Sequence, residues 1–139
     1  MLMDFIRIIL VGRVTMKFNI EDDKLLSFFE VIPEQQDGPE IPTYYKKSTF
    51  IFNTEKDYIQ FSITPSIGEV KIKVSDIESE RCYCELTLLE LDEFTILKDT
   101  SEEKIIEVID SNEDKETITK YIFSFRPNFS MKVVQSFNR

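Results

Sequence analysis

The stretch "FSITPSIGEVKIKV", Phe61–Val74, decides the fold. Apolar and polar residues alternate on both sides of its Pro-Ser-Ile-Gly segment, which is typical of two half-buried strands joined by a tight turn. A similar octet, "FSFRPNFS", recurs at Phe123–Ser130. We interpret both as strand–proline turn–strand hairpins that face each other across a core, because a proline at a turn removes no hydrogen bond from the sheet. The alternation dominates from Met16 onward, so the sequence predicts a mainly β fold, an antiparallel sandwich or partial barrel with at most one or two short helices.

The 139 residues are 42% hydrophobic, which predicts a single domain, 1–139, with a sizeable core. Its first fifteen residues hold an apolar run, Phe5–Val14, that is too short to span a bilayer. Possible codons for Gly12–Thr15 include a purine-rich ribosome-binding stretch ahead of Met16, so residues 1–15 are interpretable as a mis-annotated N-terminal extension. Otherwise we expect an extra strand or a short helix at Phe5–Leu10. The mass of the protein from its native source distinguishes the two.

Seven runs are predicted as strands: Ser48–Thr54, Tyr58–Thr64, Glu69–Val74, Cys82–Leu91, Phe94–Leu97, Ile118–Phe125 and Ser130–Phe137. Two further runs are ambiguous. Leu25–Ile32 favours a strand over a short helix, whereas Ser101–Ile109 favours a helix capped by Ser101, with a strand as the alternative because Ile and Val favour strands. Pro33–Ser48 contains three of the five prolines and predicts a long loop of the kind that often carries function.

The only cysteines are Cys82 and Cys84. On a strand these positions share a face about 7 Å apart, too far for a relaxed disulfide. Because the chain has no histidine, the pair cannot complete a tetrahedral zinc site. We therefore expect two small, buried, reduced residues of a cytoplasmic protein.

The absence of histidine also bears on catalysis, since a serine or cysteine nucleophile would lack its usual base. Three glycines cannot build a nucleotide-binding loop. The carboxylates of Glu85, Glu90, Asp92 and Glu93 could in principle form a glycosidase pair, but the chain has no tryptophan to bind a sugar, and surface charge is the better interpretation. We predict no catalytic residue, no cofactor and no enzymatic activity.

One stretch imitates a calcium-binding loop. Asp110, Asn112 and Asp114 occupy the first, third and fifth positions of an EF-hand pattern. Lys115 stands where the loop needs glycine, and Tyr121 stands where it needs a bidentate glutamate. The sequence therefore predicts an acidic, solvated loop and no metal site.

Charge is distributed unevenly along the chain. Residues 76–116 hold fifteen Asp and Glu against four Lys and Arg, and Glu21–Glu40 holds seven acids and one lysine, whereas Thr117–Arg139 has four bases and no acid. If the acidic stretches converge on one face, they form a docking surface for a basic protein and repel nucleic acid and anionic membranes. Tyr44 and Tyr45 would add aromatic anchors. The alternative is that the acidic excess only maintains solubility.

Size, acidity and the paired segments "FSITPSIGEVKIKV" and "FSFRPNFSMKV" make the chain resemble small acidic bacterial toxin-immunity proteins. The resemblance implies stoichiometric occlusion of a basic toxin, often a nuclease, by a cytoplasmic protein. The residues expected to contact this partner are Glu85, Glu90, Asp92, Glu93, Asp110, Glu113, Asp114, Glu116, Tyr44 and Tyr45. The alternatives are a nucleic-acid-mimic inhibitor and a structural or assembly subunit of a phage or secretion system, in which exposed strand edges pair between copies. The sequence leaves the oligomeric state open.

Overall fold

A computed structural model describes residues 18, 20–111 and 116–137. The proposed extension 1–15 and the element expected at Phe5–Leu10 lie outside the described residues. The described part contains one α-helix, α1 (Asp22–Phe29), and short 3-10 turns at Thr43–Tyr45 and Pro65–Ile67. Its strands are β1 (Glu34–Gln35), β2 (Ser48–Asn53), β3 (Asp57–Thr64), β4 (Glu69–Asp76), β5 (Cys82–Leu88), β6 (Glu93–Asp99), β7 (Lys104–Asp110), β8 (Thr117–Arg126) and β9 (Ser130–Phe137).

The strands form two antiparallel sheets, and neighbours in each sheet follow chain order. The larger sheet has the order β1-β2-β3-β4-β5 and the smaller one β6-β7-β8-β9. Hairpin connections of this kind need only short links, which fits the closely spaced strand signals of the sequence. The mainly β, antiparallel prediction is confirmed, and the seven runs predicted as strands all carry strands.

The two proline hairpins are present. In the first, Thr64 lies opposite Glu69 and Pro65 begins the 3-10 turn between β3 and β4. In the second, Ser124 lies opposite Ser130 and the turn between β8 and β9 contains Pro127. The hairpins face each other across the core, because the ring centroids of Phe61 and Phe125 are 5.8 Å apart.

The core is formed by the inward-facing residues of both sheets. Alternate positions of each central strand are almost fully buried, as expected when one face of an antiparallel sheet is covered. They include Ile59, Phe61 and Ile63 of β3, Val70, Ile72 and Val74 of β4, Ile106 and Val108 of β7, and Phe123 and Phe125 of β8. Each such side chain stabilises the fold by about 1.5–3 kcal/mol through its removal from water.

The strand interpretation of Leu25–Ile32 is wrong, because the helix α1 covers Asp22–Phe29. Leu25, Phe28 and Phe29 are buried at a helical spacing, and the ring of Phe29 stacks on Phe50 at 4.6 Å. Two aspartates in the first turn favour the helix electrostatically. The helix ends at Glu30, whose φ of 60° is left-handed.

The helix interpretation of Ser101–Ile109 is also wrong, and its strand alternative holds as β7. Ser101 caps no helix, because it lies in the β6–β7 turn. There the hydroxyl of Thr100 accepts a hydrogen bond from the Glu103 amide at 2.9 Å. The expected long loop after Pro33 is interrupted only by β1 and the 3-10 turn at Thr43–Tyr45.

The cysteines are both free thiols, but Cys82 is exposed rather than buried. It lies at the start of β5, on the edge of its sheet, where the register shifts between Val74 and Ser75. Cys84 lies closer to the core, and its burial, together with the neighbouring Cys82, raises the pKa of its thiol. The expectation of two buried residues is therefore wrong for Cys82, and Cys84 is only partly buried.

Candidate partner-binding surface

Five of the predicted partner-contacting residues lie at one end of the molecule. We call Glu90, Asp92, Glu93, Asp110 and Glu116 the acidic end. The first three belong to the link between the sheets and the start of β6, and the last two border the β7–β8 connection. Hydrogen bonding and strand register bring these segments together. The Asp92 amide donates to the Ile109 carbonyl at 2.8 Å, and Asp110 lies opposite Thr119.

The turn of the first proline hairpin supports the acidic end from the other sheet. Gly68 accepts a hydrogen bond from the Leu91 amide at 3.0 Å. A cavity of about 290 Å³ lies at this junction, and its lining includes Tyr44, Gly68, Glu90 and Asp92. Three predicted partner contacts therefore surround one hollow, although they come from segments far apart in the chain.

Glu90 adopts a left-handed backbone conformation, with φ of 55°. For a residue with a β-carbon this conformation costs about 1–3 kcal/mol, and such strain is concentrated at functional sites. The side chain of Glu90 is exposed. The fold thus holds a strained glutamate on the surface where glycine would fit better.

Asp92 has a structural role as well as a charge. Its Oδ2 accepts hydrogen bonds from both the backbone amide and the hydroxyl of Ser111, the latter at 2.9 Å. This pair of contacts fixes the start of the β7–β8 connection beside the sheet link. Asp92 therefore positions its acidic neighbours, and its second carboxylate oxygen adds to their negative potential.

Four cations of the described residues, Lys24, Lys98, Lys104 and Arg126, form ion pairs with carboxylates outside the acidic end. Lys104 lies 3.1 Å from a carboxylate oxygen of Glu30, Arg126 is bound to the same glutamate at 3.1 Å, and Lys98 is bound to Glu103 at 2.8 Å. Within residues 18, 20–111 and 116–137, Glu90, Asp92, Glu93 and Glu116 have no ion pair within 4.0 Å. Glu90 and Glu116 are exposed, whereas Asp92 and Glu93 are half-buried, and none of the four charges is neutralised by direct contact with a described cation.

The two tyrosines flank this end. Their rings meet edge to face with centroids 5.0 Å apart and an interplanar angle of 86°. Tyr44 is half-buried and lines the cavity, whereas Tyr45 is 61% exposed. Tyrosine is one of the residue types enriched at the centres of protein interfaces, where acidic residues are depleted, so the tyrosines fit the centre of a contact and the carboxylates its rim.

Three predicted contacts do not join the group. Glu85 lies on β5 directly opposite Lys73, on the outer face of the larger sheet. Glu113 and Asp114 lie outside the described residues, as does Asn112 of the calcium-like pattern. The part of the chain that the structure describes contains no cluster of three metal-ligating side chains, and none of its helices is long and apolar enough to cross a membrane.

Sequence reasoning missed an ionic cluster at the opposite end of the molecule. The buried side chain of Lys104, 7% exposed, contacts Asp99 and Glu30, and its ammonium lies 5.4 Å from the centre of the Phe28 ring. The hydrogen bond from Lys104, reinforced by Arg126, lowers the pKa of Glu30. No local signal marks this cluster, because its members come from α1, β6, β7 and β8.

A second unexpected contact joins the two sheets. The buried carboxylate of Asp57 accepts hydrogen bonds from the Tyr83 hydroxyl, from the Thr54 hydroxyl at 3.3 Å and from the Phe129 amide at 3.3 Å. Phe129 belongs to the β8–β9 turn, so one carboxylate links both hairpins. Burial and the contact with Asp57 raise the pKa of Tyr83.

Comparison with known proteins adds a structural likeness. The chain matches no protein-family model and no curated protein by sequence. A chain of the contact-dependent growth inhibition toxin–immunity protein complex from Klebsiella pneumoniae 342 superposes with a TM-score of 0.66. The two chains are 17% identical, and the match covers 88% of this chain and all of the other. The likeness is one of fold, and it fits the resemblance that the sequence suggested.

Proposed function

We propose that this chain is a non-enzymatic, cytoplasmic immunity-type inhibitor that occludes a basic toxin or effector with its acidic end. The observation that carries the proposal is the convergence of Glu90, Asp92, Glu93, Asp110 and Glu116 beside Tyr44 and Tyr45. Sequence spacing alone does not require such convergence. The fold likeness to a chain of a toxin–immunity complex supports the same function.

The physical basis is electrostatic complementarity. A toxin that acts on nucleic acid presents lysines and arginines at its active site, and a cluster of carboxylates attracts that surface over about 8 Å at physiological salt. Tyr45 supplies apolar area that contact would bury. The inhibitor then needs no chemistry of its own, because occupancy of the toxin's site is sufficient.

The test uses the basic protein encoded by the neighbouring gene. Its association rate with the wild-type chain is compared with that of the triple variant Glu90→Gln, Glu93→Gln, Glu116→Gln. The matched control neutralises three exposed glutamates elsewhere: Glu55→Gln, Glu78→Gln and Glu102→Gln. We expect about a tenfold slower association for the first variant and a much smaller change for the control, because charge at the contact governs the on-rate.

Salt dependence provides the second arm. The complex should weaken steeply as sodium chloride rises from about 0.05 to about 0.5 M, since screening shortens the range of the attraction. A complex that is indifferent to salt, or equal effects of both triple variants, would contradict the proposed surface. Failure to bind any protein encoded beside it would contradict the immunity function itself.

A further inference from the structure

Three of the four sheet edges carry features that prevent pairing with another chain. β1 is only two residues long. β5 and β6 each contain a register shift, and each presents acidic side chains, Glu85 on β5 and Glu93 and Asp99 on β6. Short length, irregular register and charge are the means by which natural sheets keep their edges from associating.

The fourth edge, β9, has none of these features. Ser130–Phe137 pairs with β8 over eight residues in unbroken register. It contains no proline and no acid, and Lys132 is its single charge. Its outer edge therefore offers a regular row of backbone donors and acceptors that no described strand occupies.

The side chains of β9 are also more exposed than their position predicts. Met131 and Val133 lie directly opposite Phe123 and Tyr121, and directly opposed residues of antiparallel strands share a face. Phe123 is fully buried, so this is the core-facing side of the sheet. Met131 and Val133 are nevertheless 40% and 50% exposed. The apolar face of the smaller sheet thus continues onto the surface at β9.

We propose that β9 pairs antiparallel with β9 of a second copy of this chain, so that two four-stranded sheets join into one of eight strands. The charge distribution selects this occupant. A basic partner would be drawn to the acidic end rather than to an edge whose only charge is positive. In a chain of net charge −9, an acid-free edge is where two copies approach with least repulsion.

The geometry of self-pairing avoids like charges. A twofold axis perpendicular to the sheet leaves each side chain on its original face. Two residues that lie opposite each other across the axis must therefore both have even numbers or both have odd numbers. An axis centred on Val134 places Lys132 opposite Ser136, and an axis centred on Val133 places Lys132 opposite Val134. Neither arrangement puts the two lysines against each other, which would be destabilising.

Antiparallel pairing also separates the acidic ends. β9 runs toward the acidic end, because Phe137 lies opposite Thr117 at the start of β8. Reversing the second copy therefore places the two acidic ends at opposite extremes of the joined sheet, each accessible to a partner. Because the pairing is isologous and the other edges are protected, it closes as a dimer instead of growing into a filament.

The test is the molar mass of the full-length chain, measured by sedimentation velocity and light scattering from about 1 to about 200 μM. We expect a concentration-dependent transition from one to two chains. Val133→Lys should abolish it, since the two added ammonium groups would lie directly opposite each other in the register centred on Val133 and diagonally across from each other on the same face in the register centred on Val134. Thr95→Lys is the matched control, because Thr95 is exposed on edge strand β6 and lies opposite Glu107.

Added salt should strengthen the dimer, because it screens the repulsion between two negatively charged chains. The same salt should weaken a toxin complex. The two proposals can therefore fail independently of each other. If circular dichroism shows that the Val133→Lys variant is not folded, hydrogen exchange of the wild-type chain is used as the test instead. The β9 amides should then become slower to exchange as concentration rises. A monomer throughout the range, growth beyond two chains, a dimer that survives Val133→Lys, or equal loss in both variants would overturn the proposal.

Discussion

The carbonyl of Gly68 accepts a hydrogen bond from the amide of Leu91, and this contact joins the first proline hairpin to the link between the two sheets. Gly68 has a left-handed φ of 59°, and a β-carbon at this position would lie 2.5 Å from the Leu91 carbonyl oxygen. Both the backbone conformation and the available space therefore require glycine. The position of Glu90, next to Leu91, depends on this approach.

Gly68→Ala should lower the free energy of unfolding by about 1–3 kcal/mol, because the new methyl group forces the turn away from Leu91. Urea denaturation measures the change. Gly38→Ala is the control, since its β-carbon would meet only the mobile carboxylate of Glu40. The control should change stability by less than about 0.5 kcal/mol. Equal losses in the two variants would show that Gly68 has no special role.

Substitutions of Glu90 should separate backbone strain from charge. Glu90→Gly relieves the left-handed conformation and should stabilise the fold by up to about 1 kcal/mol, whereas Glu90→Gln keeps the strain. Both remove the charge and should slow partner association equally. Thermal denaturation and association kinetics of the two variants test this. Stabilisation by glutamine, or an unchanged association rate in both, would refute the interpretation.

Lys104→Met should destabilise the protein by about 2 kcal/mol, because it removes charged hydrogen bonds to Asp99 and Glu30 from a buried position. The methionine keeps most of the apolar stem, so packing is largely conserved. Lys98→Met is the control, since the ion pair of Lys98 with Glu103 is about half exposed and should contribute less than about 1 kcal/mol. Chemical denaturation distinguishes them, and equal effects would contradict a buried ionic cluster.

Stability should fall at alkaline pH through Tyr83. Its folded-state pKa is raised by burial and by the contact with Asp57, whereas in the unfolded chain the hydroxyl ionises near its usual pKa of about 10. Above that pH the unfolded state loses its proton first, so the free energy of unfolding decreases as pH rises. The stability difference between wild type and Tyr83→Phe should therefore shrink between pH of about 9 and about 11.

The control for this pH dependence is Tyr58→Phe, which removes a partly exposed phenol from β3, in the same sheet. Within the described residues the Tyr58 hydroxyl has no carboxylate partner, so this substitution should alter the pH dependence of stability less than Tyr83→Phe does. A difference for Tyr83→Phe that is independent of pH would show that the hydroxyl gains no stability from Asp57. Equilibrium unfolding in urea at each pH provides the measurement.

Much of the fold could be predicted because its strands alternate strictly. The alternation of apolar and polar residues along Phe61–Val74 is visible from neighbouring residues alone, and it predicted both the two strands and the hairpin that joins them. The prediction failed where the spacing of the apolar residues and their secondary-structure preferences favour different elements. α1 carries bulky residues that also suit strands, and only their contacts with Phe50 and Phe125 decide in favour of a helix.

The sequence predicted that one part of the chain is rich in carboxylates, but it did not predict that they lie together at the acidic end. The sequence shows how many carboxylates residues 76–116 contain, yet their meeting depends on the approach of Gly68 to Leu91 and on the hydrogen bonds between Asp92 and Ser111. Those are long-range contacts that spacing does not encode. For the same reason Glu85 could not be separated from the others until its register with Lys73 was known.

The edge-to-face packing of Tyr44 and Tyr45 has a thermodynamic consequence for complex formation. A side chain that becomes ordered only on binding loses about 0.5–1.5 kcal/mol of affinity through lost rotational freedom. Rings that already restrain one another lose less. The two rings and the fixed backbone of Glu90 are therefore already ordered in the free protein. Less conformational entropy is lost when the partner binds, so more of the contact energy contributes to affinity.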